Sequence, residues 1–217
     1  MKAAVLFSGG MDSTTLLYEV IHMGFRPVAI TFTYGQKSTK ELEVTKAHVR
    51  KLDIQHIVIH FPALGEMARG CALTNDDIPI PEGIPDDDLK RSMVIPNRNM
   101  IFISIAASYC LAWGVRNLFI AANKEDIDVA PDCNPSVIEA MKRALDVCDH
   151  YPINLRAPYL QLDKLDILRI GQSLGVDYSL TWSCYAGDDK PCGRCASCIA
   201  RLNAFKRAEL KDPLEYA

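Results

Sequence analysis

The six residues Ser8-Gly9-Gly10-Met11-Asp12-Ser13 stand between an apolar run over residues 2–7 and an amphipathic stretch that continues to about Met23. The run is typical of a buried strand, and the stretch that follows has the apolar spacing of a helix. Two glycines allow a tight turn between them, and its amides, with the helix N-terminus, can surround an anion. The segment therefore predicts a phosphate-binding loop at the carboxyl end of the first strand.

Strands and helices alternate along most of the chain outside this segment. The patterns predict further strands over residues 27–32, 56–60, 117–121 and 154–157, and helices over residues 38–52, 100–112, 135–147, 163–174 and 195–210. Right-handed crossovers then place helices on both faces of a parallel sheet. We expect an α/β fold with a doubly wound, mainly parallel, five-stranded sheet.

Residues 61–97 interrupt this alternation with several prolines and glycines and the acidic run Asp86-Asp87-Asp88. A long, partly ordered loop is predicted here. It is either a lid or binding loop or a floppy surface insertion. The predicted organisation is a domain over residues 1–180 that contains this insertion, followed by a C-terminal segment over residues 181–217.

The composition excludes several classes of protein. The chain has 217 residues, 49% of them hydrophobic and 24% charged, which is typical of globular proteins and not of disordered chains. No apolar run is long enough for a membrane helix, and the N-terminus does not resemble a signal peptide, so we expect a cytoplasmic protein without a membrane partner. The net charge of −3 shows no basic excess and argues against a nucleic-acid partner.

Four of the eight cysteines fall near the C-terminus with the spacing C-x7-C-x2-C-x2-C: Cys184, Cys192, Cys195 and Cys198. Four thiolates on a short segment suit tetrahedral zinc, and a site with four protein ligands is structural rather than catalytic. We expect one structural Zn²⁺ per chain, with an iron–sulfur cluster or free thiols as alternatives. Cys110 and Cys148 are predicted to lie in the core.

The pattern S-G-G-x-D-S resembles the signature of the PP-loop ATP pyrophosphatases, which activate an oxygen of the acceptor as an adenylate. The resemblance implies that ATP, with Mg²⁺, binds to the loop at Ser8, Gly9, Gly10, Met11, Asp12, Ser13 and Thr14. Among these, Asp12 and Ser13 are candidate catalytic residues. Asp12 either orients the loop or holds Mg²⁺, or it only caps the helix.

Further segments resemble the 7-cyano-7-deazaguanine synthase family, formerly called ExsB-type proteins. They are Y-G-Q at 34–36, I-P-N-R-N-M at 95–100, P-D-C at 131–133, T-W-S-C-Y at 181–185 and K-P-C-G-R-C-A-S-C at 190–198. The resemblance covers almost the whole chain and implies an adenine nucleotide alpha hydrolase-like fold and a homodimer. The implied activity is an ATP-dependent carbon–nitrogen ligase that converts 7-carboxy-7-deazaguanine and ammonia to the nitrile, in queuosine or archaeosine biosynthesis.

The same resemblance and the residue types suggest a substrate site that includes Tyr34 and Gln36. Arg98 is a candidate catalytic residue that contacts a phosphate or the substrate carboxylate, or it is a surface arginine. Asn99 reads a base edge or caps its helix. Asp132, assisted by Asn123, accepts from the two donors of a guanine-like base, or both are turn residues. The five histidines are predicted to be core or surface residues without catalytic roles.

Two loops depart from the family pattern. Lys37-Ser38 stands where the family has a histidine, and Ala130 stands where it has a tyrosine. These departures leave open a related enzyme that transfers the adenylated deazaguanine-type acid to another amine. A tRNA-thiolating enzyme would need a catalytic cysteine pair and a basic surface, and a zinc-ribbon binding module would not need the intact phosphate loop.

Overall fold

A computed structural model describes residues 1–84, 86–187 and 189–217. Its strands are β1 (Lys2–Leu6), β2 (Arg26–Thr33), β3 (Gln55–His60), β4 (Asn117–Phe119) and β5 (Asn154–Arg156). They form one sheet in the order β3-β2-β1-β4-β5, and all four neighbouring pairs are parallel. The predicted five-stranded parallel sheet is confirmed, with β4 and β5 shorter than expected.

The helices are α1 (Met11–His22), α2 (Lys40–Lys51), α3 (Ala63–Met67), α4 (Asp87–Ser92), α5 (Arg98–Ala112), α6 (Pro135–Val147), α7 (Lys164–Ser173) and α8 (Ala196–Arg207). The predicted cap of α7 is confirmed. The Asp163 carboxylate accepts from the Asp166 amide at 3.0 Å, and the Asp166 carboxylate accepts from the Asp163 amide at 3.2 Å. Each other predicted helix is present within a few residues of its predicted ends.

The alternation of side chains along β1 explains why both faces of the sheet are covered. Ala3 and Val5 belong to a buried cluster with residues of α1, α2 and α7, whereas Ala4 belongs to the cluster formed with α5 and α6. All three are fully buried. A strand buried on both faces reads as a continuous apolar run, which is why its pattern lacks alternation.

The segment over residues 61–97 is more ordered than a floppy insertion, so that alternative is wrong. It contains α3 and α4, and Met93 and Ile95 pack into the core cluster of the α5 side. The Gly83 amide donates to the Arg194 carbonyl at 2.8 Å, which ties the insertion to the cysteine segment. Its acidic run has a local role, because Asp86 caps α4 by accepting from the Leu89 amide at 2.9 Å.

The C-terminal segment contains a buried ion pair between Arg201 and Asp212, and Arg201 also reaches Tyr178 of the sheet domain. Arg201 donates to both oxygens of Asp212, at 2.7 and 2.9 Å, and also to the Thr181 hydroxyl and the Tyr178 carbonyl. Ala204 and Phe205 of α8 share a buried cluster with residues of α1 and α7. The predicted boundary at residue 180 stays a prediction, since the two parts share this core.

Cys110 and Cys148, both predicted to lie in the core, differ in burial. Cys110 is buried as expected, but Cys148 is exposed, because it follows the last turn of α6, where the helix end reaches solvent. None of the described helices is long and apolar enough to cross a membrane.

We expect Asp212→Ala to lower the free energy of unfolding by about 3–5 kcal/mol, because it leaves the Arg201 guanidinium buried without its counter-charge. The two side chains are only 2% and 4% exposed. Urea unfolding measures the change. Glu215→Ala is the control in the same tail: it breaks the exposed pair with Lys190 and should leave stability unchanged. Equal effects of the two variants would contradict this role.

Candidate functional site

A cavity of about 1080 Å³ opens at the carboxyl ends of β1, β2 and β4. The strand order reverses between β1 and β4, the position where open parallel sheets bind ligands. Ligand pockets usually measure roughly 300–1,000 Å³, so this cavity has room for a nucleotide and a second small substrate. Its walls include the loop after β1, the start of α2, the start of α5 and one side of α8.

The phosphate loop is held in place by close contacts at Gly9, which has a φ of +79°. A Cβ on Gly9 would lie 2.6 Å from Cγ2 of Val44 on α2, so no other residue fits there without displacing α2. On the other side, the Gly9 carbonyl accepts a hydrogen bond of 2.9 Å from the Trp182 amide. The cysteine segment therefore contacts the phosphate loop directly.

The donors of the loop are arranged around the start of α1, whose N-cap is Gly10. No side chain caps this helix, so a bound anion can take that place. The Ser8 and Ser13 hydroxyls lie 3.0 Å apart and contribute to the cavity wall. Thr14 is fully buried and its amide donates to the Gly10 carbonyl at 3.0 Å, so the structure gives it no direct access to a ligand.

Asp12 is the second residue of α1 and not its cap, so the capping alternative is wrong. Its Oδ2 accepts from Lys164 Nζ at 2.6 Å and from Asn123 Nδ2 at 3.1 Å. Burial lowers the pKa of Lys164, but the Asp12 and Asp126 carboxylates outweigh it and raise this pKa above its usual value. Burial raises the pKa of Asp126, which Lys164 partly opposes. The loop thus ends at a compact cluster of two carboxylates and one ammonium.

Arg98 lies at the first turn of α5 and lines the cavity, so the surface-arginine alternative is wrong. Its Nη1 donates to the Tyr34 hydroxyl at 3.1 Å, and its guanidinium carbon is 5.8 Å from the centre of that ring. Tyr34 and Gln36 also line the cavity, and Gln36 closes the turn after β2 by accepting from the Tyr34 amide at 2.8 Å. The structure therefore brings three predicted substrate residues together.

Asp132 and Asn99 contact each other at the N-terminal end of α5. The Asp132 carboxylate accepts from the Asn99 amide at 2.6 Å and from Asn99 Nδ2 at 3.2 Å. The N-cap of α5 is Asn97, in a left-handed conformation with φ of 56°, so the alternative in which Asn99 only caps the helix is wrong. Both predicted residues line the cavity, beside Cys133, whose thiol has its pKa raised to about 12 by burial.

Asn123 is placed differently from the other predicted substrate residues. It is fully buried, and its amide group joins Asp12 to the turn over residues 123–126, because its Oδ1 accepts from the Glu125 amide at 2.9 Å. The cavity wall is formed instead by its neighbours Ala121, Ala122 and Glu125. Its contacts make it a support for Asp12.

The two loops that depart from the family pattern both reach the cavity. Ser38 lines it and is only 7% exposed, and its hydroxyl has no hydrogen-bond partner in the described part of the chain. Lys37 turns away, and its Nζ donates to the Ile78 carbonyl at 2.7 Å. Residues 128–130 also contribute to the wall. The departures therefore affect the lining of the cavity.

The predicted metal ligands converge. The sulfur atoms of Cys184, Cys192, Cys195 and Cys198 all lie within 4.8 Å of one another. A tetrahedral zinc site with Zn–S of about 2.3 Å needs sulfurs about 3.8 Å apart, so the four thiols fit a closed metal site. Backbone amides of Gly187 and Cys192 donate to the Cys184 sulfur at 3.0 and 3.2 Å, as thiolate ligands require.

Sequence reasoning missed several ionisable residues of the cavity, among them Asp126, Lys164 and Glu41. Lys164 occupies the first position of α7, where the helix dipole disfavours a cation, and that mismatch was a usable signal. Glu41 lines the cavity from the first turn of α2, where an acidic residue looks like an ordinary response to the dipole. Its carboxyl is buried enough to raise its pKa to about 7, against the lowering effect of Arg98 and Gln36.

The family model described as "Queuosine biosynthesis protein QueC" matches residues 2–209. This chain belongs to the QueC family. A QueC-type relative from Caldicellulosiruptor saccharolyticus, named 7-cyano-7-deazaguanine synthase, is 46% identical over 100% of this chain and 96% of its own length. A protein of the same name from Methanoregula boonei is 45% identical over 100% of this chain and 99% of its own length.

Solved structures support the fold of this QueC family member. The U34-tRNA thiolase NcsA from Methanococcus maripaludis, solved with its [4Fe-4S] cluster, aligns with a TM-score of 0.53 over 95% of this chain and 67% of that chain. The two sequences are 15% identical, so the likeness concerns the fold alone.

We expect elemental analysis to give about one zinc per chain, and Cys198→Ser to lower the melting temperature by about 10 °C or more, since a structural zinc site contributes several kcal/mol to folding. Cys148→Ser is the control, because Cys148 is exposed and outside the cluster. Iron in the purified protein, or an unchanged melting temperature after loss of one ligand, would contradict the structural zinc site.

Proposed function

We propose that this chain catalyses the reaction for which its relatives are named, the ATP-dependent conversion of 7-carboxy-7-deazaguanine and ammonia to 7-cyano-7-deazaguanine in queuosine or archaeosine biosynthesis. The observation that carries the proposal is the single cavity in which the phosphate loop, Arg98 and Asp132 all contribute to the wall. An adenylating enzyme needs ATP and the acid side by side, and this cavity accommodates both.

In this proposal the triphosphate of ATP binds to the uncapped start of α1 and to the Ser8 and Ser13 hydroxyls. Lys164, which is paired with Asp12 beside the start of α1, offsets the negative charge of the leaving pyrophosphate. Asp12 and Asp126 would hold Mg²⁺, because both are carboxylates beside the loop and Asp12 Oδ1 is buried without a partner in the described chain. The metal would add positive charge at the phosphates.

The base binds at the α5 end of the cavity. An ionised carboxylate has about four acceptor sites, so Asp132, already bonded to Asn99, retains room for N1–H and the exocyclic amine of a guanine-like ring. The Ser38 hydroxyl is a further free partner for the ring. Arg98 then lies between base and phosphates and orients the substrate carboxylate toward the α-phosphate.

The chemistry runs through two adenylations in this cavity. The substrate carboxylate attacks the α-phosphate, pyrophosphate leaves, and ammonia displaces AMP from the acyl carbon to give the amide. The amide oxygen is then adenylated in turn, and loss of AMP gives the nitrile. Positioning by Arg98 and Asp132 serves both rounds, because acid and amide differ only at the group beside Arg98.

A tRNA-thiolating function is less well supported. Cys133 is the cysteine in the described wall of the cavity, and burial raises the pKa of its thiol to about 12, which makes it a poor nucleophile at neutral pH. Transfer to an amine other than ammonia remains the alternative that the altered loops suggest. We further propose a cytoplasmic homodimer with structural zinc, on the basis of the family resemblance.

We expect ATP to be cleaved to AMP and pyrophosphate, and only when 7-carboxy-7-deazaguanine is present, because the pyrophosphate leaves as the acid is adenylated. Chromatography of the nucleotides from purified protein, ATP, Mg²⁺ and ammonia measures this. Omission of the acid is the control. Release of ADP and phosphate would contradict an adenylation mechanism.

We expect Asp132→Asn to weaken use of the deazaguanine by about 1–3 kcal/mol in kcat/KM, because an amide nitrogen cannot accept a hydrogen bond from the base. The KM for ATP should change little, since the phosphate loop is at the other end of the cavity. Steady-state kinetics with each substrate varied in turn measures both. An unchanged kcat/KM for the deazaguanine would mean that another group reads the base.

A further inference from the structure

Glu41 lies in the cavity wall, and none of the steps described above uses it. It is in the first turn of α2, the turn that packs on the phosphate loop: its carbonyl oxygen is 3.2 Å from the place of a Cβ on Gly9. The Glu41 carboxyl is also close enough to Arg98 and Tyr34 to interact electrostatically with both side chains. Glu41 therefore stands between the phosphate loop and the substrate end of the cavity.

The surroundings of Glu41 differ from those of its neighbour Glu43. Glu43 is exposed and forms an ion pair of 2.7 Å with Lys40. Glu41 has no ion pair within 4.0 Å in the described chain, and the charged or titratable groups that face it are Arg98 from α5 and Tyr34 from the turn after β2. Burial raises the pKa of Glu41 to about 7, so the carboxyl can gain and lose a proton near neutral pH.

The proposed reaction needs such a group in both rounds. When the nitrogen of ammonia bonds to the acyl carbon and the bond to AMP breaks, one proton must leave the nitrogen. When the amide oxygen is adenylated in the second round, a first N–H proton leaves and a C=N bond forms. When this adenylated imidate loses AMP, the last N–H bond breaks and its electron pair completes the nitrile triple bond. Each of these events releases one proton from the reacting nitrogen. That nitrogen is bonded to the carbon of the substrate carboxyl group that Arg98 orients.

We propose that Glu41 is the general base that accepts each proton that the reacting nitrogen loses in the two rounds. At each proton loss the carboxylate becomes a carboxylic acid, and it returns that proton to solvent before the next one. This inference rests on the proposed function. It assigns a residue to the proton transfer, for which the residues that bind the phosphates and the base do not account. Glu41 would be a catalytic residue and not only a part of the wall.

The test compares Glu41→Gln with Glu43→Gln, the matched variant on the exposed face of the same helix. We expect Glu41→Gln to retain pyrophosphate release from ATP and the acid without ammonia within a few-fold. Formation of amide and nitrile at neutral pH should fall by about 10²–10⁴-fold, the usual contribution of general base catalysis. The acidic limb of its kcat profile near pH 7 should disappear, whereas Glu43→Gln should keep the profile of the original chain.

A second variant keeps the test decisive if Glu41→Gln folds poorly. Glu41→Asp retains a base, so it should keep the acidic limb and a part of the rate. A rate and pH profile of Glu41→Gln equal to those of the original chain would overturn the inference, and so would equal losses of pyrophosphate release and nitrile formation. If the unsubstituted chain itself makes no nitrile, the proposed function fails instead, which is a distinct result.

Discussion

The hydrogen bond from the Trp182 amide to the Gly9 carbonyl joins the two parts of the molecule on which the site depends. Gly9 lies between this contact and Val44 of α2, which leaves no room for a side chain at this position. The four cysteines converge in the segment that carries Trp182, and Arg201, paired with Asp212 of the same segment, donates to the Tyr178 carbonyl of the sheet domain. A metal held by these four cysteines would in this way help to fix the geometry of the adjacent phosphate loop.

Much of the fold could be predicted because its signals are local. A continuous apolar run, a glycine turn and a helical period mark β1 and α1, and the capping box at Asp163 marks α7. The four metal ligands could be predicted from spacing alone, since they lie within fifteen residues of sequence. The predicted residues Arg98, Asp132 and Tyr34 line one cavity, because β2 and β4 end, and α5 begins, at the same edge of the sheet.

The remaining features depend on contacts between distant residues. The Asp12–Lys164 pair joins residues 152 positions apart, so no local pattern distinguishes Asp12 from a helix cap. Glu41 and Glu43 look alike in the sequence, and only packing shows that Glu41 is partly buried in the cavity wall whereas Glu43 is exposed. The insertion over residues 61–97 has no regular sequence pattern, because its conformation depends on packing against the core and on contacts with the cysteine segment.

In the proposed function, one cavity performs both adenylations and forms a nitrile from free ammonia. Mass spectrometry of the products formed with ¹⁵N-labelled ammonia tests it most directly, with nucleotides quantified in the same samples. The account predicts 7-cyano-7-deazaguanine that carries one ¹⁵N atom, and about two AMP for each molecule of nitrile. An amide as the end product, a conjugate with another amine, or one AMP per nitrile would contradict it.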